Sequence, residues 1–163
     1  MRASKKRLTM GIDPGLAITG YGIIEHTPSR LKAVAYGVIT SGPREAFGSR
    51  IDTISRELSK LLRKYHPATV GIEKLFFSKN VKTALSVGEA RGVAVLTVWQ
   101  HRVPMREFTP MQIKQALTGY GLATKTQIQK MVQRQLNLES IPKPDDAADA
   151  LAVAICCAQT KIF

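Results

Sequence analysis

Apolar residues come in short runs at the start of the chain and switch to a helical period near position 47. Residues 8–13, 19–25 and 31–40 are rich in β-branched and small apolar side chains, with turn formers such as Pro14-Gly15 between them. They predict three strands, and their short connections predict an antiparallel meander. Over 47–65, Ile51, Ile54, Leu58, Leu61, Leu62 and Tyr65 recur at helical spacing, while Arg50, Arg56, Lys60 and Lys64 fill the other side. This predicts an amphipathic helix covering one sheet face, ended by Pro67. Residues 69–73 are a fourth short apolar strand, followed by a loop over 74–79. Asn80 is the expected cap of a long helix from Val81 toward Gln100. Its second half, 93–99, has strand propensity as well, but the length favours helix. In that helix Ala84, Gly88 and Gly92 form a small-residue row that would let another backbone approach.

The pattern continues with a fifth strand over 103–108. Thr109 then caps a helix with Pro110 at its first position and Gly119 at its end. Residues 120–123 read as a loop. A further helix carries Ile128, Met131, Val132 and Leu136 inward and Lys130 and Arg134 outward. Pro142-Lys143-Pro144 is a rigid spacer, and the last helix starts near Asp145. That helix is apolar nearly all round, so it should be buried. The expected fold class is α/β, a mixed five-stranded sheet flanked by helices, in a single domain over 1–163.

Composition changes this picture in one respect. The 163 residues carry 24 Lys plus Arg against 12 Asp plus Glu, a net charge of +12. Such an excess predicts a polyanionic partner, nucleic acid first. Cys156 and Cys157 are the only cysteines. As helix neighbours they point about 100° apart, which disfavours a disulfide between them, and no zinc spacing exists. Buried free thiols in a reducing cytoplasm are expected. Arg2, Lys5, Lys6 and Arg7 make the start basic, but no apolar h-region of signal-peptide length follows before Asp13-Pro14-Gly15. Neither a signal peptide nor a membrane span is expected.

The few acids are placed against this background. Asp13 and Glu73 each end an apolar strand, where open α/β sheets collect ligands. If those strands are parallel neighbours, both carboxylates emerge at one sheet edge. Asp146 and Asp149 share a face in the first turns of the last helix. Asp145 beside them reads as a helix-end charge. A carboxylate inside an apolar helix, as at Asp149, needs a cation. Oxygen-only ligation suits Mg²⁺, with Mn²⁺ as substitute, one or two ions per site. Such ions could clamp a phosphodiester and activate water. His26, His66 and His101 lie away from these motifs and are expected at the surface or in loops.

Basic residues dominate from 79 to 134. Lys114 and Lys125 are the leading phosphate contacts, one on a helix and the other in the loop after Gly119 and Gly121. Lys79, Arg91 and Lys130 belong to the same expected DNA-binding set. Phe76-Phe77 follows Glu73 in a loop flanked by Lys74 and Lys79. One of the two is expected to close the core, and the other to stack or wedge beside the scissile phosphate.

Together these residues resemble the RuvC family of Holliday junction resolvases over nearly the whole chain. The carrying segments are Gly-Ile-Asp13-Pro-Gly with Thr19-Gly-Tyr-Gly, Ile72-Glu73 followed by Phe76, Gly88-Glu-Ala-Arg91-Gly92, and Asp146-Ala-Ala-Asp149. The resemblance implies a ribonuclease H-like fold and a homodimer that binds four-way junction DNA. It implies paired nicks in strands of like polarity, leaving 5′-phosphates, and a branch-migration motor complex as partner. It makes Asp13, Glu73, Asp146 and Asp149 the metal-binding catalytic acids, Lys114 and Lys125 basic residues important for activity, and Phe76 the aromatic DNA contact. A related ribonuclease H-like nuclease acting on structured RNA is the alternative. A nucleotide-binding fold of the actin and sugar kinase type would need more chain. An architectural junction binder would leave the acids unexplained.

Overall fold

The computed structural model describes residues 7–74 and 81–160, with side chains from 84 onward in the second stretch. The described elements run β1 (Arg7–Asp13), β2 (Ile18–Thr27), β3 (Arg30–Thr40), α1 (Phe47–Tyr65), β4 (Thr69–Glu73), α2 (Val81–Gln100), β5 (Met105–Phe108), α3 (Pro110–Thr118), α4 (Lys125–Gln135) and α5 (Asp145–Gln159). The strands form a mixed five-stranded sheet in the order β3-β2-β1-β4-β5. β1, β2 and β3 pair antiparallel, β4 joins β1 in parallel, and β5 joins β4 in parallel. The change of direction follows from the connections. A tight turn links β2 to β3, whereas α1 carries the chain back so that β4 can run beside β1.

Alternation along the strands builds two cores. Met10, Ile12, Ile23, Val70 and Ile72 meet Ile54, Leu58, Ala94 and Val98 from α1 and α2. Ile24 and Phe108 meet Ile113, Leu117, Ile128, Val132, Leu151 and Ile155 from α3, α4 and α5 on the other side. Burying a side chain such as Leu58 or Leu151 stabilises the fold by about 1.5–3 kcal/mol.

α5 lies directly on the sheet backbone. A Cβ at Gly11 would strike the Ala150 carbonyl and the Ala154 amide, and one at Gly20 would strike the Asp146 carbonyl. The alanines of α5 and these two glycines leave no side chain between helix and strand. In the small-residue row of α2, nothing among the described residues stands within 4 Å of a Cβ at Gly92. Both cysteines are free and buried in α5, and burial raises both thiols, Cys156 to about 11. Among the described residues no helix is long and apolar enough to cross a membrane.

Helix ends follow their residues. α1 closes on His66 in the left-handed region, whose N–H donates to the Leu62 carbonyl at 3.0 Å. Thr109 and Gln112 form a capping box at α3, with Pro110 first and Gly119 as the left-handed end. Thr124 and Gln127 form another at α4. That second box makes Lys125 the first residue of a helix, where the sequence reading expects a loop. Residues 93–99 are helical, as expected. β5 begins two residues late, because the Val103 N–H turns back to the Val98 carbonyl. His26 sits half-buried near the end of β2. Asn80 lies outside the described residues.

Candidate active site

β1 and β4 run parallel with Ile12 opposite Ile72, so Asp13 and Glu73 leave the sheet side by side. Asp13 is also the cross-strand partner of Gly20. Because α5 rests on Gly20 through the Asp146 backbone, the first turns of that helix come down beside Asp13. Three elements thus bring Asp13, Glu73, Asp146 and Asp149 to one edge of the sheet.

The turn after Asp13 is pinned by side chains the sequence did not single out for this. The Thr19 hydroxyl donates to the Gly15 carbonyl at 2.7 Å. The Ser41 hydroxyl donates to the Leu16 carbonyl at 2.6 Å, and Arg50 Nε donates to Ser41 Oγ at 3.0 Å. Asp13 therefore leaves β1 on a braced turn.

The carboxylates feel one another. Burial, then the charges of Glu73, Asp149 and Asp146, push the Asp13 carboxyl up to about 8, against a pull from Lys125. Burial and then Asp149 raise Glu73, with Lys114 opposing. Burial raises Asp149 as well, against Lys125, with Asp146 and Asp145 adding to the rise. Among the described residues no three Asp, Glu, His or Cys side chains are drawn into a ready metal shell. Lys125 stands in at one side. Its Nζ is 3.2 Å from Asp149 Oδ2 and 3.4 Å from Asp145 Oδ2. Burial alone would lower that ammonium, but Asp149 and Asp145 outweigh it and raise it. A cation already docked on oxygen-only donors, beside carboxylates that resist ionisation, is the chemistry a hard divalent ion fits.

A pocket of about 220 Å³ opens beside the acids, lined by Glu73, Pro110, Lys114, Lys125 and Asp149 among others. Both expected phosphate lysines therefore face the cluster. Arg91 does not. Its Nε donates to the Glu73 backbone carbonyl at 3.2 Å, and its Nη2 donates to Glu107 Oε1. Its guanidinium clamps the end of β4 to β5 and so holds the strand that carries Glu73. Lys130 is exposed on α4 and does not line the pocket. Phe76, Phe77 and Lys79 lie outside the described residues. Asp145, read as a helix-end charge, is the first residue of α5 and also receives Lys143 Nζ at 2.8 Å.

The family profile described as crossover junction endodeoxyribonuclease RuvC matches residues 9–157. A crossover junction endodeoxyribonuclease RuvC of Alkaliphilus oremlandii is 56% identical over 156 residues, covering 96% of this chain and 95% of that protein. A structure of T. thermophilus RuvC in complex with a Holliday junction substrate superposes with a TM-score of 0.88 at 32% identity, covering 93% of each chain. The yeast mitochondrial Holliday junction resolvase shares the fold at 14% identity, with a TM-score of 0.67 over 91% of this chain and 76% of its own. The fold is ribonuclease H-like, as the sequence resemblance implied. By profile, identity and superposition, the chain belongs to the RuvC family of crossover junction endodeoxyribonucleases.

Proposed function

We propose that this chain is a divalent-metal-dependent endonuclease that resolves four-way DNA junctions by paired nicks. The observation that carries this reading is the meeting of four carboxylates from β1, β4 and α5 beside two lysines, in a protein of net charge +12. Asp13, Glu73, Asp146 and Asp149 would hold Mg²⁺ or Mn²⁺. When bound, such ions activate water and steady the attacking and leaving oxygens of a phosphodiester. The chain's own groups do the rest. Lys114 and Lys125 receive the scissile phosphate in the pocket beside Glu73 and Asp149. The Thr19 and Ser41 bonds hold Asp13 in place, and Arg91 holds the end of β4.

A homodimer would give each active site one strand of the junction. α2 supports this reading. Leu85 (64% exposed), Leu96 (54%) and Trp99 (79%) stand out in water along one stripe that also contains Gly92. A branch-migration motor as partner and a cytoplasmic location belong to the same proposal, from the family resemblance.

The test is a substrate panel with Mg²⁺: a synthetic four-way junction, a linear duplex, a DNA–RNA hybrid and a structured RNA. Paired, symmetric nicks in the junction alone are expected. Preferential cutting of RNA would replace this reading with the RNA-processing one.

A further inference from the structure

α3 and the loop after it leave three large apolar side chains in water: Met111 (61% exposed), Tyr120 (58%) and Leu122 (69%). Contiguous exposed apolar groups mark contact surfaces. The loop folds back along α3, so that a Cβ at Gly121 would stand 2.9 Å from Met111 Cγ and 3.5 Å from Gln115 Oε1. It is a built turn. Gly119 turns the chain through the left-handed region. The Thr118 hydroxyl accepts from the Tyr120 N–H at 3.1 Å and donates to the Lys114 carbonyl at 2.8 Å. The Ala123 N–H donates to the Tyr120 carbonyl at 3.3 Å.

This patch continues the catalytic pocket. Pro110, next to Met111, and Lys114, one helical turn on, both line the pocket with Glu73 and Asp149. Lys125 opens α4 three residues after Leu122 and lines the same pocket. A strand whose phosphate is held by Lys114 and Lys125 would have its neighbouring bases within reach of Met111, Tyr120 and Leu122, which flank those pocket residues along α3 and the loop before α4. A nucleobase out of its stack offers a flat apolar face and needs such a surface. A second protein copy fits less well, because it would bring the same two lysines against these two.

We infer that Met111, Tyr120 and Leu122 form a platform for a nucleobase unstacked at the crossover, next to the scissile phosphate. The inference rests on the junction-cutting reading above. Base stacking on a protein surface is sequence-tolerant and releases no counterions. Its loss therefore has a signature distinct from loss of a phosphate contact.

The test compares the full chain with its Tyr120→Ala/Leu122→Ala double variant. Junction affinity in divalent-free buffer should fall roughly tenfold or more. Duplex affinity, the salt slope of junction binding and the melting temperature should stay unchanged. A fluorescent adenine analogue beside the crossover should change emission on binding the unaltered chain and not the variant. Wild-type junction affinity in the variant, or equal loss on duplex and junction, overturns the platform. So does a lower melting temperature that accounts for the loss, or lost self-association with junction affinity intact. Cutting by the unaltered chain is scored in the same series. If it cuts and the double variant binds normally, only the platform falls. If it neither binds nor cuts the junction, both readings fall.

Discussion

A free aspartate ionises near 3.8, and Asp13 does so only at about 8 because burial withholds water and three more carboxylates add their field. The consequence for stability has a definite sign. Below about pH 4 the residue is protonated in folded and unfolded chains alike. Between about 4 and 8 the unfolded chain releases that proton while the folded one keeps it, so stability falls as pH rises. Above about 8 the loss is complete. In divalent-free buffer at pH 8, Asp13→Asn should therefore unfold later than the unaltered chain, by at most about 5 kcal/mol, since each unit between 3.8 and about 8 is worth about 1.36 kcal/mol. The two melts should converge near pH 4. A variant less stable at pH 8 would contradict the crowded-carboxylate account. Added Mn²⁺ or Mg²⁺ should have the complementary effect, stabilising the unaltered chain by about 2.7 kcal/mol at a hundredfold excess over Kd. Asp13→Asn and Asp149→Asn should lose most of that gain. Melts that ignore the ions would remove the metal from the account.

Elements set where those residues stand. α5 reaches Asp13 only because Gly11 and Gly20 present bare backbone to it. Gly20→Ala should cost at least about 2 kcal/mol through overpacking, and cutting should fall because Asp146 and Asp149 move off with the helix. Unchanged melting with normal cutting would mean that the contact is slack. Arg91 makes a second test between elements. Arg91→Ala should lower the cutting rate and the melting temperature while leaving the salt slope of DNA binding unchanged, and Arg91→Lys should not rescue it, since two nitrogens of the fork are used. A reduced slope with normal stability would return Arg91 to the DNA-contact role the sequence suggested. Strand ends, helix periods and caps depend on neighbouring residues, so β1, β4, α1, α3 and the buried α5 were visible in the sequence, and with them the two pairs of acids. Tertiary partners were not visible. The glycines of β1 and β2 carry a clear small-residue pattern, but nothing local says that α5 is what lies on them. Arg91 turns inward because Glu107 and the Glu73 carbonyl arrive from two other strands. Lys125 joins a helix because Thr124 and Gln127 cap it, and that Thr-x-x-Gln signal is legible in the sequence.

The whole molecule carries +12, and its charge bears on binding more than on fold. Junction affinity should fall steeply with salt, each neutralised phosphate contributing a slope of about −0.9. Lys114→Ala or Lys125→Ala should reduce that slope by about 1, whatever the DNA sequence. A flat salt response would sever the lysine pocket from DNA. Oligomeric state belongs to this scale as well. Trp99→Ser with Leu96→Ser should convert a dimer to monomers in sedimentation, with the fold retained. If sedimentation leaves the association state unchanged, the α2 stripe is not the contact.

In the proposed mechanism, carboxylates from distant segments act as one ion-holding group on a bound strand. The most direct measurement is the initial nicking rate of a synthetic four-way junction across a Mg²⁺ titration, for the unaltered chain and for Asp149→Asn under conditions where both bind the junction. Nicking that is absent without Mg²⁺, saturates with it, and is lost by at least about a thousandfold in the variant is the expected result, a loss of about 4 kcal/mol in transition-state stabilisation. Nicking that proceeds without divalent ions, or that survives Asp149→Asn at the full rate, would contradict it.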